Sequence, residues 1–161
     1  MTVADASFLI NFLCLDRMGL LGVLRHVFCV PNHVAAEVRR AEQRVRLRAA
    51  VEAGILTELG IVDQGEIALY VGFRRYLGDG ESACLAVAVA RRWAIAADEK
   101  GRFRREVFTH LGEAYLLNTP GALVSALRAG ALSVAEAEGI RQELARRRFV
   151  MKVPPFAELL G

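Results

Sequence analysis

The sequence is poor in the residues that build covalent or soft-metal frameworks. It has three cysteines, Cys14, Cys29 and Cys84, and three histidines, His26, His33 and His110. No Cys-x-x-Cys pair occurs, and the odd count argues against a disulfide framework or a zinc site. Each cysteine sits in an apolar run, where a thiol behaves as a small hydrophobe, and free thiols fit a reducing cytoplasm. The histidines lack ligand spacing, so structural or surface roles are expected for them. Lysine is scarcer still, with only Lys100 and Lys152 among 21 basic residues. Arginine is the better fork for phosphate, although a GC-rich genome gives the same bias. The longest wholly apolar run, Ala83 to Ala90, is far too short to span a bilayer. The first residues lack a basic stretch followed by an apolar one, so no secretory signal is expected. Gly78-Asp79-Gly80 is neither a P-loop nor a dinucleotide fingerprint. Ser7 and Ser82 have no general base nearby in sequence and no nucleophile elbow. Aromatics make up 7% of the chain and rarely interleave with the cations, which argues against a stacking platform for single strands.

What remains is an ordinary globular composition. The 161 residues are 54% hydrophobic and 24% charged, enough for one domain with a real core and too apolar for disorder. The net charge of +3 permits an anionic partner without demanding one.

Short apolar strand patterns alternate with helix patterns. Strands are expected at Thr2 to Ala4, Val27 to Val30, Leu56 to Val62, Trp93 to Ala97 and Ala114 to Leu117, with a last one at Val150 to Val153. Helices are expected from Ser7 to Leu15, Gly19 to His26, and His33 to Arg40 with a continuation towards Ala53. Further helices run from the Asp63/Glu66 capping pair to Tyr76, from Glu81 to Arg92, and from Gly101 to Leu111. Thr119 and Pro120 read as an N-cap and first helical position. Ser133 and Glu136 open a late helix reaching about Arg147. Strands separated by helices mean parallel pairing. The expected fold is one α/β domain over residues 1–161, three layers α/β/α around a mostly parallel sheet, with a helical C-terminal tail from about residue 133.

In such sheets ligands bind beyond the carboxyl ends of the strands. Asp5 directly follows the first strand pattern and Asp98 directly follows Trp93 to Ala97. Glu37 lies one turn into a helix after a strand, and Glu81 opens the helix feeding the Asp98 strand. Each acid has a bland explanation. Asp5 and Asp98 suit helix caps, Glu37 suits a solvated face beside Arg39 and Arg40, and Glu81 suits the helix dipole. Asp79 suits a turn. Taken together, four acids from four segments converge on one sheet edge, where they would repel unless a cation neutralises them. Oxygen-only ligands favour Mg²⁺ or Mn²⁺, and such an ion can activate water against a phosphodiester.

These residues resemble the PIN-domain family, which includes VapC-type toxin ribonucleases. The opening Val3-Ala4-Asp5-Ala6-Ser7-Phe8-Leu9-Ile10 is similar to its strand, Asp-[Thr/Ala/Ser]-[Ser/Asn] and apolar helix. Pro31-Asn32-His33-Val34-Ala35-Ala36-Glu37 is similar to its second acidic motif, Pro-x-x-Val-x-x-Glu. Gly78-Asp79-Gly80-Glu81-Ser82-Ala83-Cys84-Leu85 is similar to a subgroup's third region. Ala96-Ala97-Asp98-Glu99-Lys100-Gly101-Arg102 is similar to the fourth, and Thr119-Pro120-Gly121 fits the helix start that follows. The ordered set covers about the first 120 residues.

The resemblance implies a metal-dependent ribonuclease using Mg²⁺ or Mn²⁺, with Asp5, Glu37, Glu81 and Asp98 as the catalytic acids and Asp5, Asp98 and Glu81 touching metal. It implies support from Ser7, with Asp79 competing with Glu81 and Glu99 standing where the family more often has Asp. It also implies RNA as substrate, frequent homodimers, and an antitoxin partner for toxin members. Arg39, Arg40 and Arg102, close in sequence to the acids, are the expected nucleic-acid contacts, whereas Arg146, Arg147 and Arg148 read as a solvated helix end. Two rivals stand beside the nuclease. One is a catalytically silent PIN fold that binds nucleic acid or protein. The other is a nucleotide-binding α/β domain, which would want a lysine at a strand end that neither Lys100 nor Lys152 supplies well.

Overall fold

The computed structural model describes residues 1–161. Strands apolar on both faces have to be covered on both faces, and the chain does this at the centre of a sheet of five. These are β1 (Thr2–Ala4), β2 (Phe28–Pro31), β3 (Leu56–Leu59), β4 (Ala94–Ala96) and β5 (Leu116–Leu117). They lie in the order β3-β2-β1-β4-β5, and every pairing is parallel. All residues of β1 and β2 are buried, as a covered parallel sheet requires.

Seven helices carry the crossovers, α1 (Ala6–Cys14), α2 (Gly19–Gly22), α3 (Asn32–Glu37), α4 (Ala41–Glu52), α5 (Gln64–Phe73), α6 (Asp79–Arg91) and α7 (Arg102–His110), and three follow the last strand, α8 (Thr119–Arg128), α9 (Val134–Arg146) and α10 (Phe156–Leu159). The chain builds outward from β1 through β2 to β3, then returns to the other side of β1 for β4 and β5. Right-handed crossovers therefore put the helices of the two halves on opposite faces, giving three layers α/β/α. The direction reverses between β1 and β4, so their carboxyl ends are the topological switch point.

Helix α6 lies across β1, β2 and β4. Its residues Ser82 through Ala88 are all buried, and Ala83, Ala86 and Ala88 keep it thin enough to approach the sheet. Buried Glu66 of α5 is gripped by two N–H groups of Arg91, which fastens α5 to α6. The tail joins the same core through Ala137, Ile140, Leu144, Met151 and Phe156. Phe156 is fully buried, a burial contributing on the order of 1.5–3 kcal/mol.

Several expected elements differ in the structure. The helix from Gly19 stops at Gly22, flanked by glycines that disfavour it. The helix expected from His33 towards Ala53 breaks at Val38, whose extended backbone (φ −77°, ψ 95°) buries its side chain and separates α3 from α4. Arg39 and Arg40 therefore lie in a short link directly after Glu37. Gly78, not Gly80, is the last residue before α6, so Asp79 is helical rather than part of a turn. Asn118, not Thr119, caps α8. Val150 to Val153 makes no strand, because β5 offers an edge only two residues long.

Candidate functional site

The backbone brings β1 and β4 into register with Ala4 opposite Ala96. The next amide of the first strand, Asp5 N–H, donates to the Ala96 carbonyl at 2.9 Å. Asp5 is 3% exposed. It caps α1, its Oδ2 accepting the Ser7 backbone N–H at 3.0 Å and the Ser7 hydroxyl at 2.6 Å. That hydroxyl also accepts the Asp98 backbone N–H at 3.1 Å. Ser7 thus ties the ends of β1 and β4 together, and the capping role of Asp5 and its place at the switch point coincide.

Asp98 is held by two residues from elsewhere. The Thr119 backbone N–H donates to its Oδ1 at 2.8 Å, and its Oδ2 accepts the Thr119 hydroxyl and, at 3.0 Å, the Asn11 amide. The Asn11 amide also donates to the Thr119 hydroxyl oxygen at 3.2 Å. Burial pushes the Asp98 carboxyl above the usual range. The Thr119 and Asn11 hydrogen bonds work against that, and the Asp5 charge adds to it.

The helix-borne acids are looser. Glu37 ends α3, and its Oε1 accepts the Gly80 N–H at 2.9 Å. A β-carbon on Gly80 would stand 2.7 Å from that oxygen and 2.8 Å from Cδ and Oε2, so only glycine lets the carboxyl lie there. Desolvation raises the Glu37 pKa first. The Gly80 N–H lowers it, and Asp5, Asp79 and Glu81 raise it again. Glu81 reaches back to the start of α6, its Oε2 accepting the Gly78 N–H at 3.0 Å. Asp79 turns away to the Tyr70 hydroxyl and to Arg74, 3.3 Å from its Nε. Glu99 is raised by desolvation and then by Asp5, Glu81, Asp98 and Glu37. Asp79 is thus engaged by Tyr70 and Arg74, whereas Glu81 keeps its Oε1 free.

Residues 1–149 match the PIN-domain family DUF3368. The chain belongs to the PIN-domain family. PIN domains are generally nucleases that use a divalent metal. No curated protein and no solved structure matches the chain.

The donors of this PIN domain are all hard oxygens, yet no three acid, histidine or cysteine side chains are arranged to cage an ion. The hydrogen bonds leave Asp5 Oδ1, Glu37 Oε2 and Glu81 Oε1 free, and one lone pair on Asp98 Oδ1. Magnesium keeps several waters and needs only one or two carboxylates. Mutual repulsion among half-buried acids favours a cation in their midst. The donor set therefore fits a hydrated divalent ion without forming a cage for one.

Among the expected cationic contacts, Arg39 and Arg40 border a cleft that also includes Glu37 and Asn11. Arg102 stands apart from it, over the Tyr76 ring at 5.9 Å. Asn11 went unnoticed in the sequence, and Thr119 was read only as a cap. The signal for Asn11 was available, since it is a lone amide in the apolar run Phe8-Leu9-Ile10-Asn11-Phe12-Leu13, and a buried amide requires partners.

Proposed function

We propose that this PIN domain is a Mg²⁺- or Mn²⁺-dependent endoribonuclease acting in the cytoplasm. The observation that carries the reading is that Asp5 and Asp98 leave adjacent parallel strands at the β1/β4 switch point, joined through Ser7, while Glu37 is held on the Gly80 amide at the start of α6, beside Glu81. Asp5, Asp98 and Glu81 would hold the ion, which supplies charge neutralisation at a phosphodiester and an acidified water. Asp5 is oriented by Ser7, and Asp98 by Asn11 and Thr119. Glu37, whose pKa burial raises first and whose Oε2 is left free by its hydrogen bonding, is placed to help deprotonate a water. Arg39, Arg40 and Arg102 are the first candidates for phosphate contacts.

The toxin role, an antitoxin partner and a homodimer extend the same reading. What supports a partner surface is the apolar exposure of Val62, Ile67, Val71 and Tyr76, on and beside α5, since such patches mark interaction sites. Sedimentation at two protein concentrations distinguishes monomer from dimer.

The decisive test is a Mn²⁺ titration followed by an RNA cleavage assay. Cleavage is expected to vanish in EDTA and to fall at least about a hundredfold in Asp5→Asn and Asp98→Asn, the scale of a positioned catalytic group. Full activity in both variants would sink the carboxylate reading. The silent binding module is the second reading, favoured by the absence of a preformed cage. Metal binding without cleavage of any RNA would select it.

A further inference from the structure

The positive charge of the chain is concentrated in one place. A cleft of about 610 Å³ runs between α1, the Arg39–Arg40 link and the end of α9. Its walls carry Arg39, Arg40, Arg146, Arg147 and Arg148 against a single carboxylate, Glu37. That local balance of +4 exceeds the +3 of the whole chain.

The arginines are also largely unpaired. Arg146 meets Glu143, but Arg39, Arg40, Arg147 and Arg148 have no carboxylate within 4.0 Å. By contrast Arg46, on the same helix layer, is paired with both Asp16 and Glu42. A solvated helix face usually interleaves its signs, and unneutralised clustering calls for an external anion. The cleft has no aromatic lining, so it suits a phosphate backbone rather than stacked bases. Cys14 lines the same cleft, so the arginines of the Arg39–Arg40 link and of the end of α9 stand around one spot of α1.

Arg148 fixes the direction of this cleft. It also borders a second cleft of about 580 Å³ that holds Asp98 and Glu99. It stands in left-handed backbone at φ 68°, a conformation uncommon for a non-glycine residue. The turn is closed by the Arg148 N–H on the Ala145 carbonyl at 3.0 Å and the Phe149 N–H on the Leu144 carbonyl at 2.8 Å. Glycine is the ordinary residue at such a helix end.

We propose that the tail builds one wall of an RNA path, with Arg146–Arg148 facing Arg39 and Arg40 across successive phosphates and Arg148 leading the backbone onto the acids. The proposal deepens the nuclease reading and takes RNA as its polyanion from it. It gives a role to the Arg146–Arg148 run, which is exposed as a solvated helix end is.

The test is binding of a fluorescein-labelled, unstructured RNA oligonucleotide by the full chain in EDTA, read by polarisation across a salt series. Arg147→Ala/Arg148→Gly is expected to bind about tenfold more weakly, with the salt slope smaller by about 1.4, the value for two lost single-strand phosphate contacts. The double variant is expected to melt no lower than wild type, since glycine suits the left-handed position at 148 and alanine suits a helix end at the exposed position 147, and with that melt lost binding cannot be ascribed to unfolding. Arg25→Ala, just before β2 and hence at the opposite sheet edge, is expected to bind as wild type. Wild-type affinity and slope in the double variant, equal loss in Arg25→Ala, no RNA binding by wild type, or tighter binding of polyglutamate of matched charge would each overturn the path. Because metal is absent, failed cleavage leaves this readout standing, and intact cleavage with unaltered binding removes the path alone.

Discussion

The acids of this PIN domain fall into two groups that the fold treats differently. Asp5 and Asp98 follow adjacent parallel strands and are fixed by Ser7, Asn11 and Thr119 through side-chain and backbone hydrogen bonds. Glu37, Glu81 and Glu99 are borne by helix ends and loops, with at most one hydrogen bond each to a backbone amide. The first pair is held in geometry, and the second group is free to adapt. A hydrated divalent ion is well served by that division, because rigid ligands fix its place while mobile carboxylates can follow protons and water.

The division breaks most sharply at Thr119. Its side chain is fully buried, and its hydroxyl joins Asp98 and Asn11. Thr119→Val keeps the volume but leaves two buried polar groups short of a partner. An unfolding midpoint shift corresponding to about 1–3 kcal/mol is expected, with cleavage lowered as Asp98 loses its orientation. Unchanged stability and unchanged cleavage together would mean that the fixed pair is not held by this network.

Gly80→Ala tests the adaptable group. The new methyl would push the Glu37 carboxyl away and remove its hydrogen bond, at a cost of about 1 kcal/mol. Alanine is the better helix former by about 1 kcal/mol, so stability should hardly change. Cleavage is expected to fall roughly a hundredfold, the low side of what a positioned proton carrier contributes. Wild-type cleavage in this variant would remove Glu37 from the chemistry.

The fixed pair was legible in the sequence because position after a strand is a local property, and the strands Thr2–Ala4 and Ala94–Ala96 announce themselves by apolar runs bounded by acids. The parallel order around β1 followed from alternation of element types. Two kinds of feature were not legible. Asn11 and Thr119 act across 87 and 21 residues of chain, and nothing local states which carboxylate they serve. The arginine cleft needs the break at Val38 and the turn at Arg148, both backbone events that periodicity does not register. Long surface side chains converge through tertiary packing, so Arg146–Arg148 looked like a solvated end.

The smallest expected effect concerns Glu99 and pH. Its pKa is raised, chiefly by desolvation and then by Asp5, Glu81, Asp98 and Glu37, and Glu37 and Asp98 are raised too. A carboxyl with a raised folded-state pKa holds its proton longer in the native state than in the unfolded chain. The contribution of these three groups to the stability of the metal-free protein therefore falls as pH rises from the ordinary carboxylate range through these raised values, and levels off above them. Mn²⁺ should reverse that loss, because it binds the ionised native form. Glu99→Gln removes one of the repelling charges without touching a hydrogen bond. Since Glu99 is exposed and screened by solvent, the gain is expected to be only a few tenths of a kcal/mol. Thermal melting of the metal-free protein and of Glu99→Gln, between pH 4 and pH 8 in EDTA, measures both slopes. A difference in melting between the wild type and Glu99→Gln that does not grow as pH rises across that window would show that the acids do not repel Glu99, and with that the distinction between a fixed pair and a cation-seeking remainder would lapse.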